Sequence, residues 1–400
     1  MIGAIVLIIL LYFITVSLLG KFKAKLQWFP VKLMTNLYWY HILFALIYYL
    51  MTRNVRTDSI QYYFSYLRYT NWLDAYTTGT VFLHFVAYPF TKHLHFTYEM
   101  MMVLFSWLGY WGFVYFYIVF KENIQFNHKL FGYSLITLFI FLPNMHYWTA
   151  SLGKGSIIFL GIALAIYGLS RLESRKIALI LGLVIVYHVR PHVFLFMTVG
   201  IIVGVFTGRE KIPFYQKFLV FAGGVTTLIL LYSTILSFVG LDEDNLLESF
   251  NQFSDVRSYE LYKSSGSGID ISNYPVILKL VTFWFRPLFF DAPNFMGIVV
   301  SVENLLYLFL TLKLFDRKFL GFLKSAPTLV KTSAITFLAT SFALSGTLSN
   351  LGLIIRQKSM VMYFLLFLIL SFMDYKKSRQ AEQKKKYMQR IAKAKGMQLT

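Results

Sequence analysis

Cysteine is absent from all 400 residues, so no disulfide, thiolate metal ligand or cysteine nucleophile can contribute, and the redox compartment is left open. Charge is scarce, at 14% of residues, and acids are the scarcest: 18 Asp and Glu stand against 38 Lys and Arg. No Walker sequence, GxGxxG, paired CxxC, GxSxG or HExxH occurs, which removes the usual signatures of nucleotide hydrolysis and zinc chemistry. The fragment "SLGKGS" at 151–156 lacks the first glycine of a phosphate-binding loop at the required spacing. No cofactor and no metal are expected, and no internal repeat is found.

What the chain does contain is apolar sequence, 57% of its residues. Runs approaching the ~20 residues needed to cross the ~30 Å hydrocarbon core of a bilayer recur along it. They predict an all-α polytopic membrane protein with about eleven spans: 2–19, 35–51, 97–120, 130–148, 155–170, 176–189, 192–208, 218–239, 296–313, 328–348 and 357–373. The first run has no basic residue before it, and Lys21, Lys23 and Lys25 follow it, the reverse of a secretory signal peptide. It is expected to remain as a helix with its N-terminus outside. The basic clusters then fall inside at every turn, together with 26 of the 38 Lys and Arg and six of the 18 acids, while the outer side holds twelve of each sign. The net charge of +20 is therefore a matter of orientation and of attraction to anionic inner-leaflet lipid, and a nucleic-acid partner is not expected. Residues 1–375 read as the membrane domain, with outer-face segments 52–96 and 240–295, and 376–400 as a basic cytoplasmic tail.

Three outer segments stand apart. Counting 276–295 as a span would invert everything after it, so a re-entrant or interfacial element is expected there. Residues 240–275 form the one long hydrophilic loop. Within 58–70, Ile60, Tyr63, Phe64 and Leu67 share one helical face opposite Asp58, Gln61, Ser65 and Arg68, the pattern of a helix lying at the interface.

This topology places "YHVRPH", 187–192, between spans six and seven on the outer face. The other out-of-place charges lie there too: Arg56 and Asp58, His146 and Lys154, Arg286 and Asp291, and Arg356. Five chain segments thus offer cations to one side, with His188 and His192 among them. Taken singly, each could be a headgroup contact or a snorkelling side chain. As a set they suit a bidentate anion such as a lipid pyrophosphate. Arg190, Arg286 and Arg356 sit in apolar surroundings next to Pro or Gly and are expected to converge on one chamber. Glu303, inside a predicted span, marks either a base or a buried ion pair. Asp58, Asp291 and Glu99 compete with it, and His146, His188 and His192 could act as acid or base near neutral pH. Aromatic residues, 19% of the chain, cluster near the outer ends, where belts explain most of them and sugar stacking could use the rest.

At "VRTDSIQYYFSYL", "MHYWTASLGKGSIIFLGIALAIYGL", "VYHVRPHVFLF", "FRPLFFDAPN…VENLLYLF" and "NLGLIIRQKSMVMYF" the chain resembles the Wzy-type polysaccharide polymerases, in particular their EpsG-like branch. The resemblance implies a GT-C-like multi-helix glycosyltransferase of the bacterial inner membrane, working on the periplasmic face by inverting, metal-independent transfer. The growing glycan would move from undecaprenyl pyrophosphate to a lipid-linked repeat unit, with a chain-length regulator and a flippase as partners. It implies Arg56, Lys154, His188, Arg190, Arg286, Asp291 and Arg356 as substrate-binding residues and Glu303, Asp58 or His192 as the base. A related ligase or transferase, or a transporter of lipid-linked oligosaccharide, are the competing readings.

Overall fold

The computed structural model describes residues 1–55, 57–239, 246–263 and 266–394 and is mostly helical, with a single two-residue hairpin (Lys129–Leu130 with Tyr133–Ser134) among the described residues. Arg56 lies outside them. Helices α1 (Ile2–Lys25) and α2 (Val31–Thr52) turn at Pro30, and a cap of short elements follows, including α3 (Asp58–Tyr63) and α4 (Thr80–Tyr88). The chain re-enters the bundle through α5 (Tyr98–Asn123). The predicted span 130–148 is not one helix: it divides into α6 (Leu135–Ile140) and α7 (Pro143–Thr149). Pro143 has no N–H to extend α6 and holds Leu142 extended, at φ −65° and ψ 121°.

Helices α8 (Lys154–Ser170), α9 (Lys176–Val189), α10 (Pro191–Thr207) and α11 (Phe214–Val239) follow the predicted pattern within a few residues. The stretch expected as a long hydrophilic loop carries a helix instead, α12 (Leu246–Lys263), whose polar sequence hid it. Its small, buried Ser254 lets it lie against Gly346, and its Ser258 carbonyl accepts from the Ser349 hydroxyl. Next come α13 (Val276–Phe285), α14 (Phe295–Thr311), α15 (Phe319–Lys324), α16 (Thr328–Thr347), α17 (Leu351–Gln357) and α18 (Met362–Ala394). The segment 276–295 is a ten-residue helix that stops before Arg286 and packs on α14 and α16. The last predicted span starts later than 357, and α18 continues through the basic stretch without a break at 375.

Among the described residues, four helices, α1, α5, α14 with its short extension, and α16, are long and apolar enough to cross a membrane, and the bent pair α17–α18 would make a fifth. Helices α8, α9, α10 and α13 are apolar but shorter. The first third of α18, from Met362 to Phe372, is buried on every side, as its almost wholly apolar sequence requires. On the periphery, α1 points Ile2, Ile5, Val6, Ile9, Leu10 and Phe13 outward.

One close helix pairing is written in the sequence as two matched series. Gly200 and Gly204 of α10 and Gly208, which ends it, face Thr336, Thr332 and Thr328 of α16, and a Cβ at Gly204 would lie 2.2 Å from Thr332 Oγ1. Small residues at four-residue spacing let two backbones approach where side chains of ordinary size would hold them apart. On the neighbouring contact, Gly161 and Gly182 do the same between α8 and α9.

Candidate functional site

At the end of the bundle carrying the α3–α4 cap, four chain segments bring charge together. The junction of α9 and α10 supplies Arg190, the shared cap of both helices, which Pro191 holds in a non-helical conformation at φ −148° and ψ 80°. Its N–H donates to Val186 O (2.8 Å) and its carbonyl accepts from Val193 and Phe194, so the turn is fixed by backbone bonds and the guanidinium is left for other work. Lys154 begins α8 after Gly153, and Gly155 passes so near Trp148 that a Cβ would meet its carbonyl at 2.1 Å. Asp58 begins α3, and α17 supplies Arg356.

Arg356 Nη1 donates to Asp58 Oδ2 (2.9 Å), its guanidinium lies 5.7 Å from the Trp148 ring centre, and it also bonds Tyr62. Lys154 has Arg190 and Arg356 as cationic neighbours and Asp58 as its acidic one, and Arg190 in turn has Arg356 and Tyr62. His192 lies within the field of Arg190 and Lys154. Burial, then Arg356, lowers the Arg190 guanidinium to about 10, which leaves it charged at neutral pH. Its Nε is shielded from solvent and has no hydrogen-bond partner among the described residues. Burial, then Asp58, raises the Tyr62 phenol, so it remains a hydrogen-bond donor.

Three cations therefore face one carboxylate. The opposite end of the bundle offers a contrast, because the acids there are each held by a cation or a backbone N–H. Arg175 forks onto both oxygens of Glu122 (2.8 and 2.7 Å), Glu210 caps α16 through Thr328, Lys376 meets Asp316 (2.6 Å), and Asp374 accepts from Gln125, Phe126 and His128.

The expected convergence of Arg190, Arg286 and Arg356 is thus met by two of the three. Arg286 Nε donates to Asp291 Oδ2 (2.5 Å), and Asp291 also accepts from Leu288 N (2.5 Å), so this pair clamps its own turn rather than joining the cluster. Glu303 is enclosed as well: it accepts from Asn144 N at the start of α7 (2.6 Å) and from Tyr307 Oη (3.1 Å). Beside it Lys358, fully buried, donates to Asn304 Oδ1 (2.5 Å) and Arg286 O (2.8 Å). This second network ties α7, α14 and the 286–291 turn to the segment just after Arg356.

His188 does not reach the cluster either. It bonds Tyr76 Oη and Val184 O (both 2.8 Å), and its carbonyl accepts from Gly79 N (2.7 Å), where a φ of 76° calls for glycine. It fastens the cap to α9. His146 is in the core, paired Nδ1 to Nδ1 with His41 at 2.7 Å and stacked on Phe113. Glu99 bonds Tyr49 at 3.0 Å. Of the expected interfacial helix, Ser59, Tyr62 and Ser65 face the protein, while Phe64 and Leu67 face out, 50% and 68% exposed.

Sequence reasoning missed three participants. Tyr62 and His84 roof the cluster from the cap, and burial, then Arg68 and Lys154, lowers the His84 imidazole, which keeps it neutral. Lys358 was legible, since it is a lone cation inside a predicted span. Because Gln can still accept from Asn144 N, Glu303→Gln is expected to keep the amount of protein in the membrane within about twofold, which membrane blots check. Comparison with family models, with curated proteins and with solved structures finds no match, so the meaning of this cluster rests on its own residues.

Proposed function

We propose that the chain is a membrane glycosyltransferase of the polysaccharide-polymerase kind, moving a growing glycan from undecaprenyl pyrophosphate to a lipid-linked repeat unit on the outer face of a bacterial cytoplasmic membrane. The observation that supports it is the one-ended gathering of Lys154, Arg190 and Arg356 around a single carboxylate. A sugar–pyrophosphate–lipid diester brings two negative charges and would leave this group near neutrality. The N-termini of α8 and α10, both seventeen residues long, open at the same place and favour an anion.

In this reading an acceptor hydroxyl attacks the anomeric carbon, and the bond from that carbon to the pyrophosphate oxygen breaks with its electron pair on the leaving group. Arg190 and Lys154 stabilise the charge that develops there. Asp58, held by Arg356, takes the hydroxyl proton. Glu303 and Lys358 hold the helices that carry Arg356. Transport of a lipid-linked oligosaccharide uses the same anion contact but needs access from both ends. Incubating the purified protein with a lipid-linked repeat unit distinguishes the two: a ladder of products supports transfer, and a single unchanged band opposes it.

The orientation has its own test. Cysteines introduced at the exposed positions Ser272 and Gln383 are expected to differ in intact cells, with an impermeant thiol reagent labelling 272 and sparing 383. Labelling of 383 alone would place the cationic cluster on the cytoplasmic side.

A further inference from the structure

A second site lies away from the cluster, at the opposite end of the bundle. Helices α1, α5 and α8 leave an open groove of about 420 Å³ between them, walled by apolar and aromatic side chains that include Trp111, Tyr115, Leu160 and Leu164. Its rim is formed by Lys21 and Lys25, one helical turn apart on the same face of α1. No acidic residue lines it, and neither lysine forms a salt bridge among the described residues. Some cations at this end are paired, as Arg175 is with Glu122 and Lys376 with Asp316, whereas these two have only the groove beside them. An apolar trough that runs along the helix axes and closes on two unpaired ammonium groups has the chemistry of one molecule, a chain of hydrocarbon ending in a phosphate diester.

We infer that this groove binds one anionic phospholipid, its acyl chain lying along Trp111, Leu160 and Leu164 and its phosphate held by Lys21 and Lys25. The volume is within the ~300–1,000 Å³ of ligand sites, and two lysines near a membrane surface are worth on the order of tenfold in preference for an anionic over a zwitterionic lipid. The site is independent of any transferase activity.

Native mass spectrometry of the full chain in detergent, titrated with phosphatidylglycerol or phosphatidylcholine, reads the affinity of the first bound lipid. Phosphatidylglycerol is expected to bind about tenfold more tightly. Lys21→Gln with Lys25→Gln should abolish that preference. Lys384→Gln with Lys385→Gln, in the exposed end of α18, should keep it, and Leu164→Trp should weaken both lipids by filling the groove. Glycerol 1-phosphate should not displace the lipid. A preference that survives loss of Lys21 and Lys25, or vanishes with Lys384 and Lys385, would overturn the site, as would displacement by glycerol phosphate alone.

Discussion

Arg190→Lys should lower polymer formation by at least about tenfold, the equivalent of roughly 1.4 kcal/mol in the transition state, while the amount of protein in the membrane stays normal. Lysine keeps the charge and reaches the same space, but it loses the planar fork that meets two phosphate oxygens at once. The environment sharpens the effect. Arg190 Nε is shielded and unpartnered among the described residues, and the backbone around it is already bonded. The turn is held by its backbone bonds, so the loss should fall on activity rather than on folding. Arg190→Ala should fall further, since a charge-assisted hydrogen bond contributes about 1.5–3 kcal/mol. Product ladders measured beside membrane blots separate lost chemistry from lost protein. Near-normal product from Arg190→Lys would assign this turn to topology alone.

The second large effect belongs to folding. Gly204→Leu should remove most of the folded protein, because the first carbon of any side chain there would lie 2.2 Å from Thr332 Oγ1 and 2.8 Å from the Thr328 carbonyl. Relief requires α10 and α16 to separate along their whole contact, and overpacking of this kind costs about 1–3 kcal/mol or more. Gly200→Ala is milder, since its Cβ meets mainly Thr336 Oγ1 at 2.5 Å, an atom with no hydrogen-bond partner among the described residues. Adding Thr336→Ala should therefore restore part of the lost stability. Thermal unfolding of the purified variants checks both expectations, and additive losses in the double variant would show that the two helices do not meet as described.

Hydropathy located nearly every long helix because burial in hydrocarbon or in a helical core leaves the same apolar record. It failed at Pro143, where an apolar run continues through a backbone break, and at α12, where a polar run folds because its small serines fit a neighbour. Five of the ten candidate site residues, Asp58, Lys154, Arg190, His192 and Arg356, do meet. Their shared signal was a charge beside a helix end where topology disfavours it. The same signal also flagged Arg286 and His188, and an acid inside a span flagged Glu303; all three serve local bonds instead. Sequence position shows that an ionisable group needs a partner, but only the fold shows whether that partner is Asp291, Tyr76 or Asn144. Lys358 carries the same mark as Glu303, an ion inside a predicted span, and only the fold shows its partners, Asn304 and the Arg286 carbonyl.

Binding of a short prenyl pyrophosphate to the purified protein tests the anion site most directly, because it needs neither the correct sugar nor turnover. The wild-type chain should bind the pyrophosphate and not the matching prenyl alcohol, and Arg190→Lys or Lys154→Gln should each weaken binding by at least about tenfold. Equal affinity for pyrophosphate and alcohol, or binding unchanged in both variants, would contradict a pyrophosphate site at Lys154, Arg190 and Arg356.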